Sequence, residues 1–357
     1  MGVISNNEKV YLNELGIDVI DPARHYWFVR TDGGDYFDDF FLGNYVGIQW
    51  NEVIVNADSS FEEIESSVRE KYKDESRQGY VAKQIYKFAF EFKKGDIVLI
   101  PNKDSKYIAF GELLDDNMYI EDESPNTEFI DLLSDADEPT HLVYKKRRHV
   151  RWIKTTPRDR LDPYLKTFIY AHNTIVDLEP YSLFIDRSLS NFYIKGQLCY
   201  FSFRVNRRQN IPFGKMLNFL NTNQLFVDYI NSHLHGYVEK FGVISLDDFS
   251  IKINVQSEGP VQIVGPMKKA LAFGLVVVAL MGGNLKIAIA GQEVDLESDG
   301  VLPIIQEVHA WYNDRNEKGQ DPDETKIKQA IAENKQDLQL TAPSVPDSSS
   351  FSPSNRD

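Results

Sequence analysis

"FEFKKGDIVLIPNKDSKYIAFGEL", residues Phe90 to Leu113, decides the fold of the first half of the chain. Gly95-Asp96 is a turn signal, Ile97–Ile100 is an unbroken apolar run, Asn102–Lys106 is polar, and Tyr107–Phe110 leads back into Gly111. Two short β-forming runs around a polar loop predict a β-hairpin. Whether that hairpin is scaffold or the wall of a pocket depends on its neighbours in the sequence.

On its N-terminal side, "HYWFVRT" (25–31) predicts a strand ended by the Gly33-Gly34 turn. "YFDDFFLGN" (36–44) predicts a short turn or helix and "YVGIQW" (45–50) a strand. "SSFEEIESSVREKY" (59–72) predicts a helix with Ser59 or Ser60 as N-cap and Glu62 and Glu63 in its first turn. In "GYVAKQIYKFAFEF" (79–92) Val81, Ile85, Phe88 and Phe92 recur at helical spacing. On the C-terminal side, "RRHVRWI" (147–153) alternates as a strand with one wet face, "DPYLKTFI" (162–169) predicts a short helix and "NTIVDLEP" (173–180) a last strand. Five or six strands with two or three helices predict a small, partly open β-barrel flanked by helices.

From about Tyr181 the pattern changes to that of a second α+β domain. "LFIDRSLSNFYIKGQLCYFSFRVN" (183–206) predicts a hairpin turning near Lys195-Gly196, and "FGKMLNFLNTNQLFVDYINSHL" (213–234) a helix. "FSIKINVQSEGPVQIVG" (249–265) is strand-like, "NLKIAIAGQEVDLES" (284–298) predicts a hairpin around Ala290-Gly291, and "VLPIIQEVHAWYN" (301–313) an amphipathic helix. A charged helix is expected from Glu324 to Leu340, and "TAPSVPDSSSFSPSNRD" (341–357) has the composition of a disordered tail. The expected organisation is therefore α+β, with domains at 1–180 and 181–313 and a charged helix and tail over 314–357.

The chain has 357 residues, a formal charge of −15 and a single cysteine. The charge argues against indiscriminate nucleic-acid binding, which needs clustered Lys and Arg, but not against a local basic patch. Cys199, inside the strand-like "QLCYFSF", reads as a small buried hydrophobe and leaves no disulfide framework. The N-terminus lacks a basic start followed by an apolar core, so a cytoplasmic protein is expected. The apolar run Ala270–Met281 would reach roughly 18 Å as a helix, short of the ~30 Å of a bilayer core, and reads as a buried helix.

Charge is segregated between Glu112 and Lys166. Eleven acidic residues and no Lys or Arg lie between Glu112 and Glu138, which reads as a solvated loop. Lys145, Lys146, Arg147, Arg148, Arg151, Lys154, Arg158, Arg160 and Lys166 follow. If the strand turns Arg147 and Arg151 outward, it lays a cationic stripe across the sheet. No glycine-rich phosphate loop or metal-ligand spacing is present, and His233 and His235 would not share a helical face. Glu91-Phe92-Lys93 and Glu324-Thr325-Lys326 match the three-letter core of a metal-dependent nuclease but lie in helical contexts. Aromatic and polar residues gather in the first domain instead: Trp27, Trp50, Tyr86 and Tyr107, with Arg30, Thr31 and Asn102 nearby, are types that sandwich a planar ring and read its edge.

Taken in order, Arg30, Gly47 to Trp50, Gly95-Asp96-Ile97-Val98, Gly111-Glu112 and Arg148 to Trp152 resemble the N-terminal domain of Mrr-like restriction endonucleases, a PUA-like module related to the EVE and YTH domains. The resemblance covers about residues 22–180. It implies a partly open barrel that accepts one nucleobase, often a modified one, taken out of its stack. Carried over by position, the pocket would use Arg30, Thr31, Trp50, Pro101, Asn102 and Tyr107, and Arg147, Arg148, Arg151 and Lys154 would meet phosphates. The expected partner is nucleic acid, modified DNA being favoured and RNA open, with no cofactor implied. The second domain would oligomerise or signal in prokaryotic defence. Two alternatives stand beside this reading: an effector whose C-terminal half self-associates or acts at a membrane, and a cryptic metal-dependent nuclease.

Overall fold

The computed structural model describes residues 4–122, 143–171, 173–253, 258–282, 300–318 and 322–341. The hairpin expected around Ala290-Gly291, the acidic residues after Asp122 and the tail from residue 342 lie outside the described residues. The chain forms two compact units, one of Met1–Pro22 with Ser190–Asp357 and one of Ala23–Leu189. The N-terminal helix α1 (Asn6–Glu14) and strand β1 (Asp18–Ile20), grouped by sequence with the first domain, thus pack in the unit built by the second half. The other boundary falls after Leu189 because "SLFIDRSL" is a helix, Ser182–Leu189, where the sequence predicts the first arm of a hairpin.

The Ala23–Leu189 unit is mixed α+β around a curled, half-barrel sheet. Its strands are β2 (Tyr26–Val29), β3 (Tyr45–Ile48), β4 (Ile97–Pro101), β5 (Tyr107–Leu113), β6 (Tyr119–Ile120), β7 (Lys146–Pro157) and β8 (Ile175–Asp177). They run in the order β3-β7-β5-β4-β2-β8, with β6 on β7; β2 and β4 are parallel and the other pairs antiparallel. The β4–β5 hairpin is therefore central, and all of Ile97–Pro101 is buried. β7 serves two sets of partners. Its first residues pair with β3 and β6, its later ones with β5, and the register shifts between Phe110 and Gly111. Such a bulge bends a strand and increases its twist, which is how one strand turns the sheet's corner. Gly111 permits it: a Cβ there would stand 2.3 Å from Val150 Cγ1 and 2.7 Å from the Trp152 ring.

Three helices cover one face of the sheet, and the 3₁₀ turns after β7 and the helix Ser182–Leu189 pack on the other. α2 (Phe37–Leu42) buries Phe40, and α3 (Phe61–Lys71) opens with Ser60 and Glu63 exchanging hydrogen bonds in a capping box. α4 (Gln78–Tyr86) buries Val81 and Ile85 and runs into a π-helical turn at Lys87–Glu91 that buries Phe88. The expected helix at 162–169 is instead a pair of 3₁₀ turns, Pro163–Lys166 and Phe168–Tyr170.

In the other unit β1, β9 (Phe192–Lys195), β10 (Leu198–Val205), β12 (Gly259–Pro266) and β11 (Ser250–Ile253) form a sheet in the order β1-β9-β10-β12-β11, with β13 (Leu340–Thr341) on β10. Met267–Leu280 is a helix buried nearly all round, and Gly274 lets it approach the sheet: a Cβ there would be 2.5 Å from Phe192 Cζ. Core burial accounts for its apolar character. Cys199 is fully buried, and burial pushes its thiol up. Glu8 ties the first turn of the chain to the start of the helix Leu302–Lys318, accepting from Val301 N at 2.7 Å and from Ser5 N at 2.8 Å.

Candidate functional site

At the end of β2, Arg30 N donates to Thr174 O at 2.9 Å, and the chain turns through Asp32, Gly33 and Gly34, all with positive φ. The β4–β5 loop meets this turn. Thr31 Oγ1, fully buried, donates to Pro101 O at 2.6 Å. A Cβ on Gly34 would lie 2.2 Å from Lys103 N, so the two turns pack backbone against backbone. The loop closes on itself through Asn102, whose N donates to Tyr107 O at 3.0 Å and whose Oδ1 accepts from Tyr107 N at 2.7 Å. Asp104 and Ser105 both take left-handed φ, +58° and +52°. Two adjacent non-glycine residues in that region store backbone strain of a kind that gathers at binding sites.

A recess of about 290 Å³ opens between these turns. Arg30 and Gly33 line it from the first turn, Pro101, Asn102, Asp104 and Ser105 from the second, and Arg158, Ile169 and Tyr170 from the segment after β7. Arg158 N donates to Lys106 O at 2.8 Å, which pins the end of β7 to the hairpin loop. Its guanidinium lies 5.2 Å from the centre of the Tyr170 ring and donates to the Tyr170 hydroxyl. Arg30 Nη1 donates to Ala171 O. Both guanidiniums are thus anchored on one short segment, and Tyr170, 64% exposed, offers its ring to solvent.

Of the six residues expected in a pocket, Arg30, Pro101 and Asn102 come together here, and Thr31 lies beneath, bonded to Pro101. Trp50 and Tyr107 are outside that lining. Trp50 follows β3, whose Ile48 pairs with Lys146 at the start of β7, whereas the recess sits at β7's far end. On the order of 35 Å of strand separates the two. Trp50 is half-buried against the unit's core with φ +66°, and Lys146 Nζ donates to its carbonyl at 2.7 Å. Tyr107 is 47% exposed and begins β5. Trp27 is core: it stacks on Phe92 with ring centres 4.5 Å apart and donates Nε1 to Asp96 at 2.9 Å.

The cationic stripe is not formed. Arg147 and Arg148 are buried, on opposite faces of β7, while His149 and Arg151 are exposed and form the strand's wet face. Arg147 donates Nε to Tyr144 O at 2.6 Å and covers the Tyr45 ring at 4.2 Å. Arg148 donates to the carbonyls of Phe88, Ala89 and Phe92, which the helix end leaves open. Arg151 is exposed but paired with Glu112, and Lys154 donates to Ser188 O. The described part of the acidic stretch is largely exposed around the short strand β6, and its carboxylates are engaged by neighbouring groups. Asp115 bonds His149 Nδ1 at 2.7 Å, Asp122 pairs with Lys145 at 2.7 Å, and Asp116 accepts from Lys94 N at 3.0 Å.

Residues 27–179 match the family model of a domain of unknown function, DUF8426. The matched segment lies inside the Ala23–Leu189 unit and contains every residue of the recess. No curated protein and no solved structure matches the chain. Among the described residues no group of three His, Cys, Asp or Glu side chains is placed to hold a metal, and no helix is long and apolar enough to cross a membrane.

Arg158, Tyr170, Asp104 and Ser105 were not picked out by sequence reasoning. Arg158 carried a weak signal as one of nine cations between Lys145 and Lys166. Tyr170 carried none, since a lone tyrosine after a short turn has no period to read.

Proposed function

We propose that the Ala23–Leu189 unit is a PUA-like reader of a single nucleobase, taken from DNA or RNA into the recess between Arg30, Asn102 and Tyr170. The observation that carries this reading is the exposed Tyr170 ring at a recess of about 290 Å³ edged by fixed polar groups. That volume sits at the small end of ligand clefts and suits one base or nucleoside. A base stacked on an aromatic ring gains about 1–3 kcal/mol. The Asn102 amide has its oxygen committed to Tyr107 N, which leaves its Nδ2 protons for a ring carbonyl, while the Asp104 carboxylate is an acceptor for an exocyclic amine. A base carrying both groups, cytosine or guanine, satisfies this pair better than thymine or uracil. Modified cytosine is the favoured ligand, and a sensor of this kind beside a second α+β unit fits a role in prokaryotic defence.

The test is titration of the full chain with single-stranded and duplex oligonucleotides containing cytosine, 5-methylcytosine or 5-hydroxymethylcytosine. Binding that discriminates among them and weakens about tenfold in Tyr170→Ala and Asn102→Ala is the expected result. Equal, weak binding untouched by either substitution would defeat the proposal.

A further inference from the structure

The four cations expected to meet phosphates are all engaged elsewhere: two are buried, one is paired with Glu112 and one is bonded to Ser188 O. A nucleic-acid ligand nevertheless brings a phosphate with every base. At the recess two guanidiniums remain, Arg30 and Arg158, and each is held in place by one bond to the same segment, at Ala171 O and the Tyr170 hydroxyl. A guanidinium carries five N–H donors in a planar fork, so anchoring one of them orients the others instead of consuming the group. Of the described lining residues Asp104 alone carries a carboxylate, and Lys106 Nζ stands 3.4 Å from it, so Arg30, Arg158 and Lys106 outweigh it at the rim.

We infer that the recess takes a whole nucleotide, its phosphate gripped by the Arg30 and Arg158 forks while its ring lies against Tyr170. This rests on the reading of the recess as a nucleobase site and adds to it where the phosphate goes. Fork-to-phosphate contacts are charge-assisted and geometrically specific, which a lysine cannot reproduce. Because Arg158 stands beside Tyr170, the same side chain that holds the phosphate also steadies the stacking ring.

The experiment is calorimetric titration of the full chain with cytidine, guanosine, their 5′-monophosphates and inorganic phosphate, at low and moderate salt. The monophosphates should bind about tenfold tighter than the nucleosides, an advantage that shrinks as salt rises. Arg158→Gln should reduce that advantage to about threefold or less, with a smaller loss of nucleoside affinity as the Tyr170 ring loosens. Arg158→Lys, which keeps the charge without the fork, should fall between. Equal affinity for nucleoside and monophosphate, unmoved by Arg158→Gln, overturns the phosphate contact and leaves base reading intact. Inorganic phosphate binding as tightly as the monophosphates, or no binding by any probe, overturns both. Displacement of the monophosphate by a short single-stranded oligonucleotide supports the contact with a nucleic-acid chain as source. Tight monophosphate binding that the oligonucleotide cannot displace supports it with a free nucleotide as source.

Discussion

The guanidinium of Arg148 grips the main-chain carbonyl of Phe88 twice, through Nε at 3.1 Å and Nη2 at 2.9 Å. Its Nη2 also reaches Ala89 O at 2.8 Å and Phe92 O at 3.2 Å. One side chain from β7 thus closes the π-helical end of the α4 segment, 60 residues earlier in the chain. The Arg-x-Val-x-Trp strand that carries part of the resemblance is, at its first residue, a structural clamp.

Replacing Arg148 with Met leaves those buried carbonyls without a donor and should cost about 3 kcal/mol in urea denaturation. Lys should cost nearly as much, because a single ammonium cannot span three carbonyls. In whichever variant folds, the salt dependence of oligonucleotide binding should match the wild type. A slope reduced by about one would mean that Arg148 meets a phosphate after all.

Asp96, from the Gly-Asp pair of the opening stretch, is a second clamp. It accepts from His25 N, Trp27 Nε1 and Lys93 N, each at 2.9 Å. Asp96→Ala should destabilise the unit by about 3 kcal/mol, and Asp96→Asn by less, since one oxygen can still serve two of the donors. Thermal unfolding of both variants decides whether this motif is structural, as argued, or part of a ligand site.

The two glycines of the turn after β2 should behave differently. Gly33→Ala meets nothing within 4 Å and should cost only its left-handed backbone, about 1–2 kcal/mol. Gly34→Ala meets Lys103 N at 2.2 Å and must push the two turns apart. It should cost at least about 2 kcal/mol and abolish recess binding. Parallel denaturation and titration of the pair test whether this docking shapes the recess; equal binding loss in both would refute it.

Lys146 gives a pH signature. Burial, with a smaller push from the Lys145 charge, lowers its ammonium to about 8 from 10.5. Between those values the unfolded chain holds a proton that the folded protein has released, so stability rises with pH across that window. The contribution is at most about 1.4 kcal/mol per pH unit. Urea midpoints taken from pH 8 to 10.5 should rise less steeply in Lys146→Met than in the wild type, and identical slopes would show that the amine is not desolvated.

Much of the architecture was legible because it rests on local spacing. The Ser60 capping box, the β4–β5 hairpin and the buried apolar helix at Met267–Leu280 are set by residues within a few positions of one another. A third of the recess lining was legible for the same reason: Arg30, Pro101 and Asn102 sit at the ends of strands whose limits the sequence marks. The alternation in β7 marks a strand whose wet face holds His149 and Arg151, but Arg147, of the same parity, is buried. A period of two separates a strand's faces but does not say what covers each along its length, and here Tyr144 O and the Tyr45 ring take up Arg147 while the end of the α4 segment takes up Arg148. Local spacing by itself determined most helices, strands and turns, though not the 3₁₀ turns at Pro163–Lys166 and Phe168–Tyr170 or the helix Ser182–Leu189. Only the tertiary structure decided which cations lie open and which turns meet, because a guanidinium is committed by carbonyls far away in the chain and a recess exists only where distant turns dock.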